Sequence, residues 1–318
     1  MNLENIVISN FKGIVFNSFE FQKNTIISGP NESGKTTVMN AWLWLTTGTP
    51  MQIKPVDDPD AITTVTATID GIIYSRTNSE DGDKYTIDFE ATTATKFRAK
   101  FRQLREYSLP KYILNQSTDK KRKLLFGKGA DKLNKASEAM KKAKKKLKEY
   151  SGASEWFKAQ KSVIRDIVEM RPDEYGEQEY YEASELNTVV GLYRMGRRRK
   201  LAEEMELAKE VAECKRVLDT EKVKSKLPYD VILTEEQKNG GIKNVCELVD
   251  EHGVPWSQVN HAKQVQMGVD VIRHLSKKNY PIWIDDAEGI QDIPEYDGQI
   301  ILLQADNGDR SNFKEERV

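Results

Sequence analysis

The chain has 318 residues, 38% hydrophobic and 31% charged, with 49 Lys and Arg against 50 Asp and Glu. That length allows one large domain or two modest ones, and the near-zero balance excludes any argument from global charge. Cys214 and Cys246 are the only cysteines and form no C-x-x-C pair, which excludes a disulfide framework, a cysteine-built zinc site and a redox dithiol.

The polarity fits a small core with long solvated helices attached. The first eleven residues carry no basic region followed by an apolar run, and no stretch approaches the roughly 18 apolar residues of a membrane span. A protein of a reducing, cytoplasmic compartment with no membrane partner is the expectation.

Residues 3–9 read as a first strand. Phe11, Lys12 and Gly13 make a turn, and the alternation of Ile14/Phe16 and Phe19/Phe21 returns as a hairpin. Lys12 is either an exposed turn lysine or part of a loop overhanging a ligand.

Residues 24–28, Asn-Thr-Ile-Ile-Ser, read as a short buried strand. Gly29-Pro30-Asn31-Glu32-Ser33-Gly34-Lys35-Thr36 then fits G-x-x-x-x-G-K-[ST] at every fixed position. Backbone N–H groups of such a loop, from Asn31 to Thr37, wrap a triphosphate. Lys35 reaches its β/γ-phosphates and the Thr36 hydroxyl holds Mg²⁺. Residues 37–47, with Val38, Met39, Ala41, Trp42, Leu43 and Leu45, read as a helix whose positive end faces the anion. Strand, glycine loop and helix are the context that this motif requires. ATP and Mg²⁺ are therefore the expected ligands.

Residues 50–60 read as a loop. Residues 64–69, 72–76 and 84–89 alternate and are separated by turns at Gly71 and 79–83, an antiparallel meander expected beside the nucleotide strand. Lys96, Arg98, Lys100, Arg102 and Arg105 follow as a basic stripe, either a phosphate-facing surface or a solvated helix face.

Residues 127–226 differ in kind. Leu133, Ala136, Met140, Ala143, Leu147 and Tyr150 follow heptad a/d spacing, and Leu201, Met205, Ala208 and Ala212 repeat it on the return. Residues 171–176, bracketed by Pro172 and Gly176, are the best reversal. Two helices of roughly 45 residues meeting there would project about 65 Å. Residues 151–154 are a second break, after which 156–195 would form a small helical cap. Residues 120–150 hold thirteen Lys and Arg against three Asp and Glu, and Arg194, Arg197, Arg198, Arg199 and Lys200 form a second cluster. Such a face is either a solvated exterior or a surface neutralising the phosphates of DNA, and the excess favours DNA.

Beyond Pro228, residues 229–233 read as a strand, 257–275 as a helix, 281–286 as a buried strand ending in acids, and 299–303 as a further core strand. The last eight residues are polar and expected to fray. Asp285, delivered to the C-terminal edge of a sheet, is the candidate second Mg²⁺ ligand beside Thr36. Asp286 would orient or deprotonate the attacking water.

An N-terminal P-loop half, a long antiparallel helical insertion and a C-terminal half with an acidic strand together resemble the SMC/SbcC/RecN group of ABC-type ATPases. Residues 8–14, Ile-Ser-Asn-Phe-Lys-Gly-Ile, and 29–37 carry the likeness. Residues 259–264 with Pro-Ile-Trp-Ile-Asp-Asp-Ala-Glu at 281–288 resemble short-armed members carried by bacteriophages and prophages.

The resemblance implies an α/β P-loop head, a mixed sheet plus an antiparallel meander, with an inserted antiparallel coiled-coil arm. The division is 1–126 for the P-loop half, 127–226 for the arm and 227–318 for the acidic half. It implies a homodimer of heads around two ATPs, each capped by a segment of the other subunit. Residues 259–263 hold that position, with Asn260 where a serine would contact the γ-phosphate; a plain helix N-cap is the other reading of Asn260. Asp286 replaces the usual catalytic glutamate, so Glu288 is a second candidate. Gln116 lies near the glutamine that senses Mg²⁺. No zinc hook is present at the arm. The expected function is an ATP-hydrolysing DNA clamp in recombination, repair or replication, in a bacterial or phage-infected cytoplasm, with a separate nuclease as a candidate partner. A non-hydrolysing ATP-binding assembly or sensor protein of phage–host conflict is the alternative.

Overall fold

The glycine loop links strand β3 (Asn24–Gly29) to helix α1 (Lys35–Thr47). Around this unit the computed structural model describes residues 1–49, 52–55, 57–102, 104–159, 177–238, 241–290, 292–306 and 314–317. The chain forms two compact units. One comprises Met1–Ser117, Leu227–Asp230 and Leu248–Val318; the other comprises Thr118–Lys226 and Val231–Glu247.

In the first unit, β1 (Leu3–Phe11) and β2 (Ile14–Glu20) form the expected hairpin, closed at Phe11 and Ile14. The meander is β4 (Thr63–Ile69), β5 (Ile72–Ser79) and β6 (Gly82–Ile87), followed by β7 (Glu90–Thr92). It does not lie beside the P-loop strand. β4 pairs with β1, giving an antiparallel sheet of order β2-β1-β4-β5-β6-β7. A second sheet has the order β10-β11-β3-β12, where β10 is Ile282–Ile284, β11 Ile300–Ala305 and β12 Lys314–Arg317. Both edges of β3 are thus taken within its own sheet, by parallel β11 and antiparallel β12. Of the last eight residues, Lys314–Arg317 pair with β3 rather than fray, because an uncovered β3 would leave a row of backbone groups unpaired; the other four lie outside the described residues.

α1 lies between the two sheets, against β1 and β4 on one side and β3 and β11 on the other. That position explains its all-round apolar sequence: Val38, Ala41, Trp42, Trp44 and Leu45 are fully buried. Phe11 packs on Trp44 at 5.7 Å between ring centroids, and Phe101 on Trp42 at 6.5 Å. Each such side chain contributes about 1.5–3 kcal/mol by burial. The C-terminal end of α1 is closed by Gly48, at φ 85, whose N–H donates to the Trp44 carbonyl. Arg76 donates to the same carbonyl at 2.6 Å, stacks 4.1 Å from the Trp44 ring and pairs with Asp83. A cation there suits the negative end of the helix.

The basic stripe falls on α2 (Ala94–Lys100) and α3 (Leu104–Ser108). Arg98 turns inward and donates to the Tyr85 hydroxyl at 3.0 Å. α4 (Pro110–Leu114) packs against α8 (His261–Leu275). Gly268 permits this approach: a Cβ there would meet Pro110 at 2.6 Å. The helix expected over 257–275 is a 3-10 turn, Trp256–Gln258, followed by α8.

In the second unit, α5 (Thr118–Phe126), α6 (Ala130–Ala159) and α7 (Glu177–Ser225) accompany a hairpin of β8 (Asp230–Glu236) and β9 (Ile242–Val249). β9 has no counterpart in the sequence reading. The buried Arg122 guanidinium donates to Asn134 Oδ1 at 2.8 Å and to the carbonyls of Leu233 and Val245 at 2.6 and 3.0 Å. These bonds join α5, α6 and the hairpin.

α6 and α7 pack antiparallel: Lys132 lies 4.0 Å from Glu221, while Lys146 shares a cleft with Arg199, Ala202 and Glu206. Leu133, Ala136, Met140 and Ala143 are buried, as their spacing implies. The return seam is different. Leu201 and Met205 are 47% and 63% exposed, and Ala208 and Ala212 are exposed as well. Cys214, Leu218 and Glu221 are buried instead, with Leu207 and Val211 partly covered above them. Two apolar stripes at heptad spacing run along α7, and the one rich in Ala and Met faces solvent. The break at 151–154 is absent: α6 continues through Gly152, a cost of about 1 kcal/mol that a long helix tolerates. The reversal expected at 171–176 lies outside the described residues, as do the Tyr150 side chain and much of the cap expected over 156–195.

Candidate active site

The loop after β3 turns through two left-handed residues, Glu32 at φ 68 and Gly34 at φ 103. Alternation of this kind turns successive N–H groups toward one concavity, which attracts anions. α1 starts at Lys35, so the N–H groups of Lys35 and Thr36 point into the same space without intrahelical partners, while the Thr37 N–H donates to the Gly34 carbonyl at 2.8 Å. The Ser33 hydroxyl is buried there with no hydrogen-bond partner among the described residues. Lys35 is buried, and its ammonium donates to the carbonyls of Gly29 and Pro30 at 2.6 and 2.7 Å. The loop therefore holds its cation at its own neck.

β10 delivers the acids. Thr36 Oγ1 lies 3.2 and 3.1 Å from the two Asp285 carboxylate oxygens. Burial pushes the Asp285 carboxyl above its ordinary range and the neighbouring Asp286 adds to this, against the bond from Thr36 and the charge of Lys111. A half-buried carboxylate beside a hydroxyl is a pair of hard oxygen donors, and a cation there would relieve its desolvation. Asn31, Glu32, Gly34, Lys35, Thr36, Thr37, Asp285, Asp286 and Glu288 line one cleft of about 240 Å³ with Leu303. Most of the expected site residues converge there.

Asp286 is exposed to the cleft, with its backbone in the left-handed region at φ 58 and ψ 48. Its N–H donates to Asp285 Oδ1 at 3.2 Å. Glu288 also lines the cleft, but its carboxylate accepts the Ala305 N–H at the end of β11. Glu288 thus ties the acidic turn to the strand beside Gly29.

Two expected residues are placed elsewhere. Gln116 donates from Nε2 to the Tyr112 carbonyl at 3.0 Å, turned back onto α4. Asn260 is the N-cap of α8, its Oδ1 accepting the Lys263 N–H at 2.9 Å. Two further residues stand close to the acids: Lys111, which had no expected role, and His261, expected only as part of the capping segment 259–263. Lys111 shares with Asp285 the wall of a second, mostly apolar cavity of about 240 Å³ behind the site. His261 Nε2 lies 2.8 Å from the Asp286 carbonyl. No spacing rule could have found either, because both depend on where α4 and α8 dock. Among the described residues no cluster of three or more His, Cys, Asp or Glu gathers to hold a metal. No helix among them is long and apolar enough to cross a membrane.

A family profile described as "AAA domain" matches residues 5–239, and the chain belongs to that family. None of the curated proteins matches it. Among solved structures, the Smc head domain with a coiled coil and joint from Pyrococcus yayanosii is similar at a TM-score of 0.44 and 12% identity, over 95% of this chain and 92% of that one. The recombination mediator protein RecF with ATP is similar at 0.45 and 11%, over 99% and 98%.

Proposed function

We propose that this AAA-domain chain is an ATPase that works as an ATP-gated DNA clamp in recombination, repair or replication. The observation that carries the reading is the meeting of Thr36 with Asp285, 249 residues apart in sequence and about 3.1 Å apart in space. A hydroxyl after the P-loop lysine and a carboxylate at a strand end form the two protein ligands that Mg²⁺ takes in a P-loop site. Bound there, Mg²⁺ would neutralise charge on the β- and γ-phosphates.

Each protein group then has a defined task. N–H groups from Asn31 to Thr37 bind phosphate oxygens, with Glu32, Ser33 and Gly34 shaping the loop. Lys35 leaves the Gly29 and Pro30 carbonyls for the phosphates, exchanging two neutral acceptors for charged ones. Asp286 accepts the proton of the attacking water. Glu288 holds the turn rather than acting as the base.

The wider reading is a homodimer of heads in which Asn260 at the start of α8 faces the nucleotide of a second copy. Functionally the chain divides into 1–126, a coiled-coil arm over 127–226, and 227–318. The arm binds DNA through Lys141, Lys142, Lys145 and Lys146, which are exposed on α6. A separate nuclease and a bacterial or phage-infected cytoplasm complete the setting. One observation favours the second reading, a non-hydrolysing assembly or sensor protein: Asn260 is engaged in capping its own helix.

The deciding measurement is phosphate release with and without DNA, against a Lys35→Ala control. Release above the control that responds to DNA supports the clamp. Tight ATP binding with no release supports the sensor.

A further inference from the structure

α8 begins at His261, and its first side chain reaches back to the acidic turn. We propose that His261 is a positioning residue for Asp286: its imidazole N–H grips the Asp286 carbonyl and so sets the aim of the Asp286 carboxylate in the P-loop cleft. The inference rests on the reading of that cleft as an ATPase site.

The chemistry of the contact fixes its direction. A carbonyl oxygen only accepts, so the 2.8 Å contact requires the proton on His261 Nε2. Nδ1 is buried and has no partner among the described residues, which is the place for the ring's lone pair. Backbone geometry gives the contact its consequence. Asp286 occupies the left-handed region, which a residue other than glycine keeps only when its surroundings hold it there.

Both neighbouring peptide groups are held. The Asp286 N–H donates to Asp285 Oδ1, and its carbonyl accepts from His261. Downstream, the Ile290 N–H donates to Ala287, and Glu288 is tied to Ala305. With the backbone fixed on either side, the Cα–Cβ direction of Asp286 is fixed too. Of these restraints, the His261 bond alone comes from α8, 25 residues away in sequence. Loss of that bond would leave the phosphate loop intact and misdirect only the acid.

The test uses the full chain with MgATP, comparing wild type, His261→Ala and His261→Gln, whose amide can donate from the same place. Expected for His261→Ala is a fall in kcat of about 10- to 100-fold, the effect of a small misplacement of a reacting group. KM and the affinity for a fluorescent ATP analogue stay within about two-fold, since ground-state binding is untouched. His261→Gln recovers most of the lost rate. Wild-type kcat in His261→Ala overturns the inference. So does a parallel loss of kcat and affinity that glutamine fails to rescue, the signature of a purely structural residue.

If the wild type releases no phosphate above Lys35→Ala, the ATPase reading fails, and the contact is decided by NMR of the ring. The chain has three histidines, so His252→Gln and His274→Gln assign the third. An Nε2–H tautomer with a slowly exchanging proton supports the positioning contact. An Nδ1–H tautomer, or averaging between the two, overturns it.

Discussion

Thr36 Oγ1 sits within hydrogen-bond reach of both Asp285 oxygens, at 3.2 and 3.1 Å. Thr36 lies in the first turn of α1 and Asp285 directly follows β10, so the P-loop helix and the acidic strand are joined at the point where a cation would sit. Lys35 is equally committed, to the Gly29 and Pro30 carbonyls. Titration calorimetry with ATP should therefore separate the two. Lys35→Ala should weaken ATP binding by about 10- to 100-fold, the worth of a charge-assisted bond of about 1.5–3 kcal/mol. Asp285→Asn should leave binding in EDTA intact and abolish its enhancement by Mg²⁺. Undiminished Mg²⁺ enhancement in Asp285→Asn would remove this residue from the metal site.

In the proposed reaction Asp286 carries the step after binding. Asp286→Asn keeps the size and the backbone bonds but removes the proton acceptor. Phosphate release should fall by about 10²- to 10⁴-fold, the usual worth of a general base, with ATP affinity retained. The same variant with ATP should run as a dimer by light scattering on a sizing column. A monomer at saturating ATP would count against the paired heads. Glu288→Ala should instead lower thermal stability more than rate, because it removes the side-chain oxygen that accepts a backbone N–H at the end of β11.

The proposed contact of α6 with DNA has a distinct signature. Lys141, Lys142, Lys145 and Lys146 are exposed along α6. Each phosphate they neutralise adds about 0.9 to the slope of log K against log salt on duplex DNA. Changing all four to glutamine should flatten that slope by up to about 3.6 and weaken binding of every sequence alike. Fluorescence anisotropy across a salt series measures both. An unchanged slope would make α6 a strut only.

The legible and illegible parts of this chain divide along a physical line. Gly29, Gly34, Lys35 and Thr36 were readable because the phosphate loop fixes residue types at fixed spacing. Asp285 was readable because an apolar strand ending in acids has few uses beside a P-loop. His261 was not: imidazole-to-carbonyl bonds leave no mark in sequence, and only the docking of α8 brings Asp286 within reach. The outer partner of β3 was equally hidden, since Lys314–Arg317 is too polar to announce a strand and pairs through its backbone. On α7 the heptad spacing itself misled. Leu201, Met205, Ala208 and Ala212 satisfy it as well as Leu207, Val211, Cys214 and Leu218 do, and spacing alone cannot choose between two faces of one helix.

The end of α1 depends on Arg76 and Asp83, 2.5 Å apart, with the Arg76 side chain only 6% exposed. Burial pushes the Asp83 carboxyl up, but bonds from Arg76, Asn78 and Tyr85 outweigh it and hold the group below its ordinary value. The sign follows. A lowered folded-state value adds stability above the unfolded carboxylate value, and that stability is lost as pH falls through the folded one. Asp83→Ala should cost about 2 kcal/mol at neutral pH, since it strands a buried guanidinium. The difference from wild type should shrink steadily below about pH 4. Urea unfolding at a series of pH values tests this, and a gap independent of pH would assign the loss to packing.

The α6–α7 pair offers a direct test of which stripe is the seam. Leu218 is 4% exposed, whereas Met205 is 63% exposed at a position of the other stripe. Truncating a buried leucine removes its transfer energy and leaves a cavity, so Leu218→Ala should cost about 2–4 kcal/mol. Met205→Ala should stay within about 0.5 kcal/mol, as surface changes do. Thermal melts of the two variants distinguish the faces at once. Lys132 and Lys224 both approach Glu221 at the base of the pair, at 4.0 and 2.9 Å, and the bond from Lys224 chiefly lowers the Glu221 carboxyl. Leu218 lies one helical turn away, so its loss should also loosen that end of the arm. Hydrogen exchange at 214–221 should then rise in Leu218→Ala and stay at wild-type level in Met205→Ala. A larger effect from Met205 would mean that the solvent-facing stripe is covered in solution.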